Sequence, residues 1–284
     1  MKFKGLKLRG KKAPAAEPSG NRVRPSWIKY ALLGLLLYLV FLIIELPASW
    51  LSWGLTHFSQ GAVVISRPQG TLWNGKGELI ISYPRSRHHA IGDTEWRINP
   101  LWLVTGKVKI AVRVLGEQVQ ARTRLALGPG KYVIEQTVAT LPAAFVATVY
   151  SPASLFGPEG ALRIESDSLA LDETGITGSA TARWLGAASS LTPVRPLGDY
   201  QLALTGKGGS VALKLSTLKG DLELAGQGQW NITKGGLINF NGSARPRGRS
   251  GDLEPLLKLI GNDLGGGRRL LRLNARLLFP LARP

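Results

Sequence analysis

From Tyr30 to Ile44 the chain reads YALLGLLLYLVFLII, without one charged side chain, and that run limits what the remainder can be. Trp27 and Ile28, across the single Lys29, extend it to Trp27–Ile44. At about 1.5 Å per residue such a helix reaches about 27 Å, close to the roughly 30 Å hydrocarbon core of a bilayer. A core helix of a soluble protein rarely runs through 15 consecutive apolar residues with leucine on every face, as this one does. The run is therefore read as a membrane anchor made by Trp27, Tyr30, Leu33, Leu36, Leu37, Val40, Phe41 and Ile44. Aromatic rings stand at both ends, Trp27 and Tyr30 on one side and Trp50 and Trp53 on the other, and Lys29 can reach back to the headgroups.

Lys2, Lys4, Lys7, Arg9, Lys11, Lys12, Arg22 and Arg24 precede the span, opposed only by Glu17. By the positive-inside rule they hold the N-terminus in the cytoplasm and place the rest across a bacterial-type inner membrane, in the periplasm. The span is longer than the roughly 7–15 residues of a signal-peptide core, and Pro47-Ala48-Ser49-Trp50 makes a poor cleavage site, so the anchor is expected to stay. The expected organisation is a basic cytoplasmic tail (1–26), a transmembrane helix with an interfacial extension (27–58), and a β-rich periplasmic domain (59–284). Within the second part, Leu46–Phe58 (LPASWLSWGLTHF) reads as helix lying at the interface, with Pro47 at a kink.

Beyond Gly61 one pattern recurs: a glycine-bearing turn, then alternating apolar and polar residues, the period of a half-buried strand. Lys76–Ile81, Gly106–Val114, Gly160–Ile164, Asp199–Leu204, Val211–Leu215 and Asp221–Ala225 are instances. With 35 glycines and 17 prolines available for turns, the expected fold is mainly β. It is an antiparallel, curved or sandwich-like sheet of successive hairpins with two short helices, behind one N-terminal transmembrane helix. Asn74-Gly75 predicts a tight hairpin turn. The short helices are expected at Leu141–Tyr150, capped by Thr140, and at Leu253–Ile260, capped by Asp252 and stopped at Gly261-Asn262. Arg245–Gly251 reads as a basic loop, and a weak seam is expected near Leu141–Gly157.

A search for chemistry finds little. The chain has no cysteine, which removes disulfides, thiolate metal sites and cysteine nucleophiles. His57, His88 and His89 are the only histidines, and none has ligand-spaced carboxylates. Asp167, Asp172 and Glu173 read as strand-edge charges. Gly70–Gly77 (GTLWNGKG) resembles a phosphate-binding loop but lacks the Ser/Thr and the following helix. No serine sits in a nucleophile elbow, so neither a catalytic set nor a cofactor is expected. The net charge is +18, and beyond residue 55 there remain 27 basic against 16 acidic residues, a surplus of +11. Such a surplus suits anionic headgroups, envelope polymers or an acidic partner; nucleic acid does not fit outside the cytoplasm.

Several motifs fall in an order that resembles a known family. Gly70-Thr71-Leu72-Trp73-Asn74-Gly75 comes first, then Trp96-Arg97-Ile98-Asn99-Pro100-Leu101-Trp102 running into Gly106-Lys107-Val108. Pro158-Glu159-Gly160, Pro196-Leu197-Gly198-Asp199-Tyr200 and Gly226-Gln227-Gly228-Gln229-Trp230 with Phe240-Asn241-Gly242 follow, then a helix, a glycine-rich turn and a last strand. Together with the basic tail and single span, this resembles type II secretion system protein N over nearly the whole chain, with Gly70, Trp73, Gly75, Trp96, Pro100, Gly106, Gly160, Gly198 and Trp230 as its motif residues. The tail is longer than usual for the family. The resemblance implies a non-catalytic accessory inner-membrane subunit that supports export of folded proteins from the periplasm. Its implied partners are other secretion subunits of the inner-membrane platform or the secretin side. The family is also similar to AsmA-type envelope proteins, which implies the alternative of a periplasmic lipid-binding module. Trp73, Trp96 and Trp102 are either core fillers or an exposed patch, with core favoured because large aromatics are mostly buried.

Overall fold

The computed structural model describes residues 27–81, 89–149, 151–233, 235–247 and 250–276. The basic tail, His88, Tyr150 and part of the Arg245–Gly251 loop lie outside them. The chain divides into two compact units after Ile43.

The first unit is helix α1 (Trp27–Ile44), whose residue Ile44 already counts with the second. It has no charge after Lys29, and none of its side chains is buried. Among the described residues it is the one helix long and apolar enough to cross a membrane.

Among the described residues the second unit forms a single antiparallel sheet of 13 strands in which spatial order equals chain order. Helix α2 (Ser49–Phe58) precedes it. The strands are β1 (Val63–Gly70), β2 (Asn74–Ile81), β3 (His89–Asn99), β4 (Val108–Leu115), β5 (Gln120–Gly128) and β6 (Lys131–Pro142). After the short helix α3 (Phe145–Val149) come β7 (Pro158–Asp172), β8 (Gly175–Ser189), β9 (Gly198–Gly208), β10 (Ser210–Gly220), β11 (Leu222–Asn231) and β12 (Leu237–Pro246). Helix α4 (Ser250–Ile260) leads to β13 (Arg269–Arg276). The fold is therefore mainly β, a run of hairpins in one open layer instead of a sandwich.

Register gives the sheet two unlike faces, because residues paired across an antiparallel ladder point the same way. Ile65 pairs with Leu79, Trp96 with Val112, Ile110 with Leu125, Leu125 with Ile134, Ile134 with Leu169, Leu204 with Leu213 and Phe240 with Leu273, which makes one face apolar from end to end. On the other face Lys76, Glu95, Arg113 and Arg122 form one cross-strand row, and Arg163, Arg183 and Gln201 another. Near the C-terminal half β8 approaches β10, and β9 approaches β11, within 8 Å. Two strand spacings in a flat sheet are about 9.6 Å, so the sheet bends there.

Buried cores form at the two ends of the apolar face. At the first, Ala48, Ile65, Trp96 and Ile98 are buried, and Leu51, Leu55, Trp73 and Ile110 pack against them. At the second, Leu253, Leu256 and Leu257 of α4 meet Leu222, Ala244, Val194 and Leu197. Each buried leucine contributes about 1.5–3 kcal/mol through apolar area removed from water. Thr192 Oγ1 also donates to the Asp252 carbonyl (2.6 Å), tying the start of α4 to the segment before β9.

Several local expectations are corrected. Leu46–Phe58 does not continue α1: Pro47 bridges to Thr71, the Leu72 amide donates to the Leu46 carbonyl (2.7 Å), and only then does α2 begin. Asn74-Gly75 is not the turn but the start of β2; the chain reverses at Thr71–Trp73, closed by Thr71 N–H to the Asn74 carbonyl (3.0 Å). Leu141 and Pro142 finish β6, where Leu141 pairs with Leu162, and helix remains only at Phe145–Val149. There is no seam at Leu141–Gly157, because the β6–β7 ladder is continuous. Asp167 lies in a bulge of the interior strand β7, and Asp172 accepts the Thr174 amide (2.9 Å) in the next turn, so neither guards a sheet edge.

Candidate interaction surfaces

Every anchor residue expected in the sequence, Trp27, Tyr30, Leu33, Leu36, Leu37, Val40, Phe41 and Ile44, lies in α1 with its side chain exposed. Five residues after Ile44, α2 begins; it carries no Asp, Glu, Lys or Arg and shows two sides. Leu51 and Leu55 pack into the sheet, whereas Trp50, Trp53 and Phe58 are 57%, 64% and 87% exposed. His57 stacks on Trp53 with ring centroids 5.5 Å apart.

The same helix occupies the free edge of β1. Ser52 Oγ donates to the Ile65 carbonyl (2.6 Å), the Val63 amide donates to Ser59 Oγ (2.9 Å), and the Ala48 amide donates to the Gly70 carbonyl (3.1 Å). Between them Arg67 adopts φ +47° at a bulge and Pro68 has no N–H to offer. Little of this edge is left for another strand.

At the opposite margin, Leu270 N–H points outward to the Asn262 carbonyl (2.9 Å). By strand alternation the main-chain groups of Arg272, Asn274 and Arg276 point the same way. Among the described residues no strand pairs with them. Their side chains lie on the polar face, with Leu271, Leu273 and Ala275 on the apolar one.

The motif residues gather at three places. Gly70, Trp73, Gly75 and Trp96 meet at the β1–β2 turn, where Trp96 is 3% exposed and its Nε1 donates to the Leu72 carbonyl (3.1 Å). A side chain at Gly75 would overlap the Trp96 ring, so glycine there makes room for the indole. Pro100 opens a short 3-10 turn, and Gly106 ends the loop before β4. Trp102 is 36% exposed, with Lys109 Nζ 3.8 Å from its ring centroid. Of the three tryptophans, Trp96 is core, Trp73 half-buried and Trp102 at the surface. Gly160 and Gly198 lie where β7 and β9 begin, each with a neighbouring carbonyl too near for a Cβ, and Trp230 is buried on β11.

Two stretches of the sheet faces stand out. On the apolar face of β5, β6 and β7 no apolar side chain is buried; Tyr132 and Ile134 are 38% and 39% exposed. On the polar face a recess of about 740 Å³ is lined by Lys76, Glu95, Arg97, Arg113, Arg122 and Arg124. A second recess, of about 620 Å³, shares Arg122 and Arg124 and continues to Glu165 and Asp167. Glu165 accepts from Arg163 Nε (2.7 Å) and Arg183 (3.1 Å), and the Arg163 hydrogen bond holds its carboxyl below the usual range. Among the described residues no group of three or more His, Asp and Glu gathers to hold a metal.

The described residues thus form an open sheet with one sealed edge, preceded in the chain by a helix long and apolar enough to cross a membrane. A family model described as type II secretion system (T2SS), protein N, matches residues 61–272, from just after α2 into β13. The chain belongs to that family and is a component of the type II secretion system. Comparison with curated proteins and with solved structures gave no match.

Proposed function

We propose that this protein is a non-catalytic accessory subunit of the type II secretion system that docks another subunit by strand addition at β13. The carrying observation is the inequality of the two sheet margins: α2, a bulge and Pro68 occupy the β1 edge, while Leu271–Arg276 offer alternating apolar and polar side chains beside outward main chain that no strand among the described residues pairs. Membership of a multi-subunit secretion machine supports partners of that kind.

In this proposal α1 is the single inner-membrane anchor, its basic N-terminal flank lies in the cytoplasm, and the sheet lies in the periplasm. Trp50, Trp53 and Phe58 seat α2 at the interface, and the motif residues Gly70, Trp73, Gly75, Trp96, Pro100, Gly106, Gly160, Gly198 and Trp230 maintain the sheet. The test is Asn274→Pro, which removes an outward N–H while leaving the β12 ladder intact. Photocrosslinks from position 272 to another secretion subunit should disappear and secretion of folded substrates should fall, with the membrane level of the protein unchanged. Unaltered crosslinks and secretion would count against docking at this edge.

A second proposal rests on the unburied apolar face of β5–β7: this stretch holds lipid acyl chains. Stoichiometric phospholipid or lipopolysaccharide in mass spectra of the detergent-purified chain, lost on Ile134→Asp, would favour it over docking.

A further inference from the structure

We propose that the recess over β2–β5 binds an acidic polypeptide segment of a partner, whose carboxylates are held by Arg97, Arg113, Arg122 and Arg124. This deepens the docking proposal by naming the partner's chemistry, but it uses a different surface from β13, so either can fail alone.

The pairing register carries the argument. Arg113 on β4 is directly opposite Arg122 on β5, and Ala111 pairs with both Arg97 on β3 and Arg124 on β5. Directly opposed side chains in an antiparallel pair have Cβ atoms about 4.5–5.5 Å apart, and like charges at that position disfavour the sheet. Among the described residues, none of the four guanidinium groups lies within 4.0 Å of a carboxylate, whereas Arg163 and Arg183 on the same face are both paired with Glu165. Glu95 opposite Arg113 and Glu135 opposite Arg124 are the nearest acids in the register, and Lys76 adds a fifth cation. The row therefore keeps a surplus of positive charge inside one concavity.

The spacing suits an extended chain. Arg122 and Arg124 are two residues apart on one strand, about 6.8 Å, which is also the separation of alternate side chains along a bound strand-like segment. Guanidinium forks donate two parallel hydrogen bonds to one carboxylate, which favours Asp or Glu side chains over a diffuse counter-ion cloud. A phospholipid fits poorly, because its acyl chains would have to lie along Gln69, Asn74, Lys76 and Glu95.

The test uses the full chain in uncharged phosphatidylcholine nanodiscs and a fluorescein-labelled hexaglutamate peptide, read by fluorescence anisotropy. Binding is expected to weaken at least about tenfold in Arg113→Gln/Arg122→Gln, and also from about 50 to about 300 mM salt, while Arg163→Gln leaves it unchanged. The double variant should melt at the same temperature or higher, since it removes opposed like charges; should it melt lower, Arg97→Gln/Arg124→Gln is read in its place. Absence of peptide binding, or equal affinity in the Arg→Gln pair that keeps its melting temperature, overturns the proposal. So does displacement of the peptide by an equal concentration of inorganic phosphate, or preferential capture of phosphatidylglycerol vesicles, either of which would make this a phosphate or lipid site.

Discussion

Replacing Leu253 by alanine isolates what holds α4 to the sheet. Leu253 is 0% exposed and sits among Leu222, Ala244, Val194 and Leu197, so truncation removes buried methyl groups and leaves a cavity that the flanking strands cannot collapse into. Such losses cost about 2.7–5 kcal/mol. An 11-residue helix is marginal without tertiary contacts, so most of this penalty should appear as local opening of α4. At 1.4 kcal/mol per factor of ten, hydrogen-exchange protection of the amides from 250 to 260 should drop about a hundredfold to a few thousandfold. Leu259→Ala is the matched control: same chemistry, same helix, but 56% exposed, with an expected change of a few-fold at most. Exchange measured by mass spectrometry on the full chain in nanodiscs separates the two. Equal protection in both variants, with the rest of the sheet unchanged, would refute the claim that this helix is held by its buried leucines.

Trp96→Ala should cost about 3–5 kcal/mol and expose the β1–β2 turn to protease, and Gly75→Val should loosen the same turn by displacing the indole; both are read from cleavage rates near residues 70–74. Tyr200 predicts an alkaline limit. Burial, aided by Asp199 and Asp221, raises its hydroxyl well above the ordinary 10.0. The folded state thus prefers the neutral form, and this contribution is complete below pH 10 and is lost as pH climbs beyond it, because only the unfolded chain ionises there. Tyr200→Phe should flatten that alkaline decline in urea titrations while costing about 1 kcal/mol at neutral pH through the lost bond to the Leu222 carbonyl (2.9 Å).

Much of the sheet was legible because alternation is written residue by residue: Val108–Val114 and Val211–Leu215 show their faces without any partner. The span of α1 was legible for a similar reason, since an uninterrupted apolar run has few physical uses. What could not be read locally was anything set by register or by tertiary contact. Asn74-Gly75 carries a turn signal, yet the glycine serves the Trp96 ring across the ladder and the turn moves two residues upstream. Leu141–Pro142 has helical neighbours but is captured by β7. Serines 52 and 59 look like ordinary helix polar residues until β1 is placed against them. The arginine recess was missed for the same reason. Alternation puts Arg122 and Arg124 on one face, but only the pairing partners reveal that Arg113 and Arg97 converge on them.

Because each strand neighbours its predecessor in the chain, no segment must wait for a distant one before it can pair. A polypeptide that emerges N-terminus first presents its strands in that same sequence, so hairpins can zip one after another, with short loop closures at every step. The growing layer always exposes its newest strand as the template for the next, and among the described residues the last such template is β13.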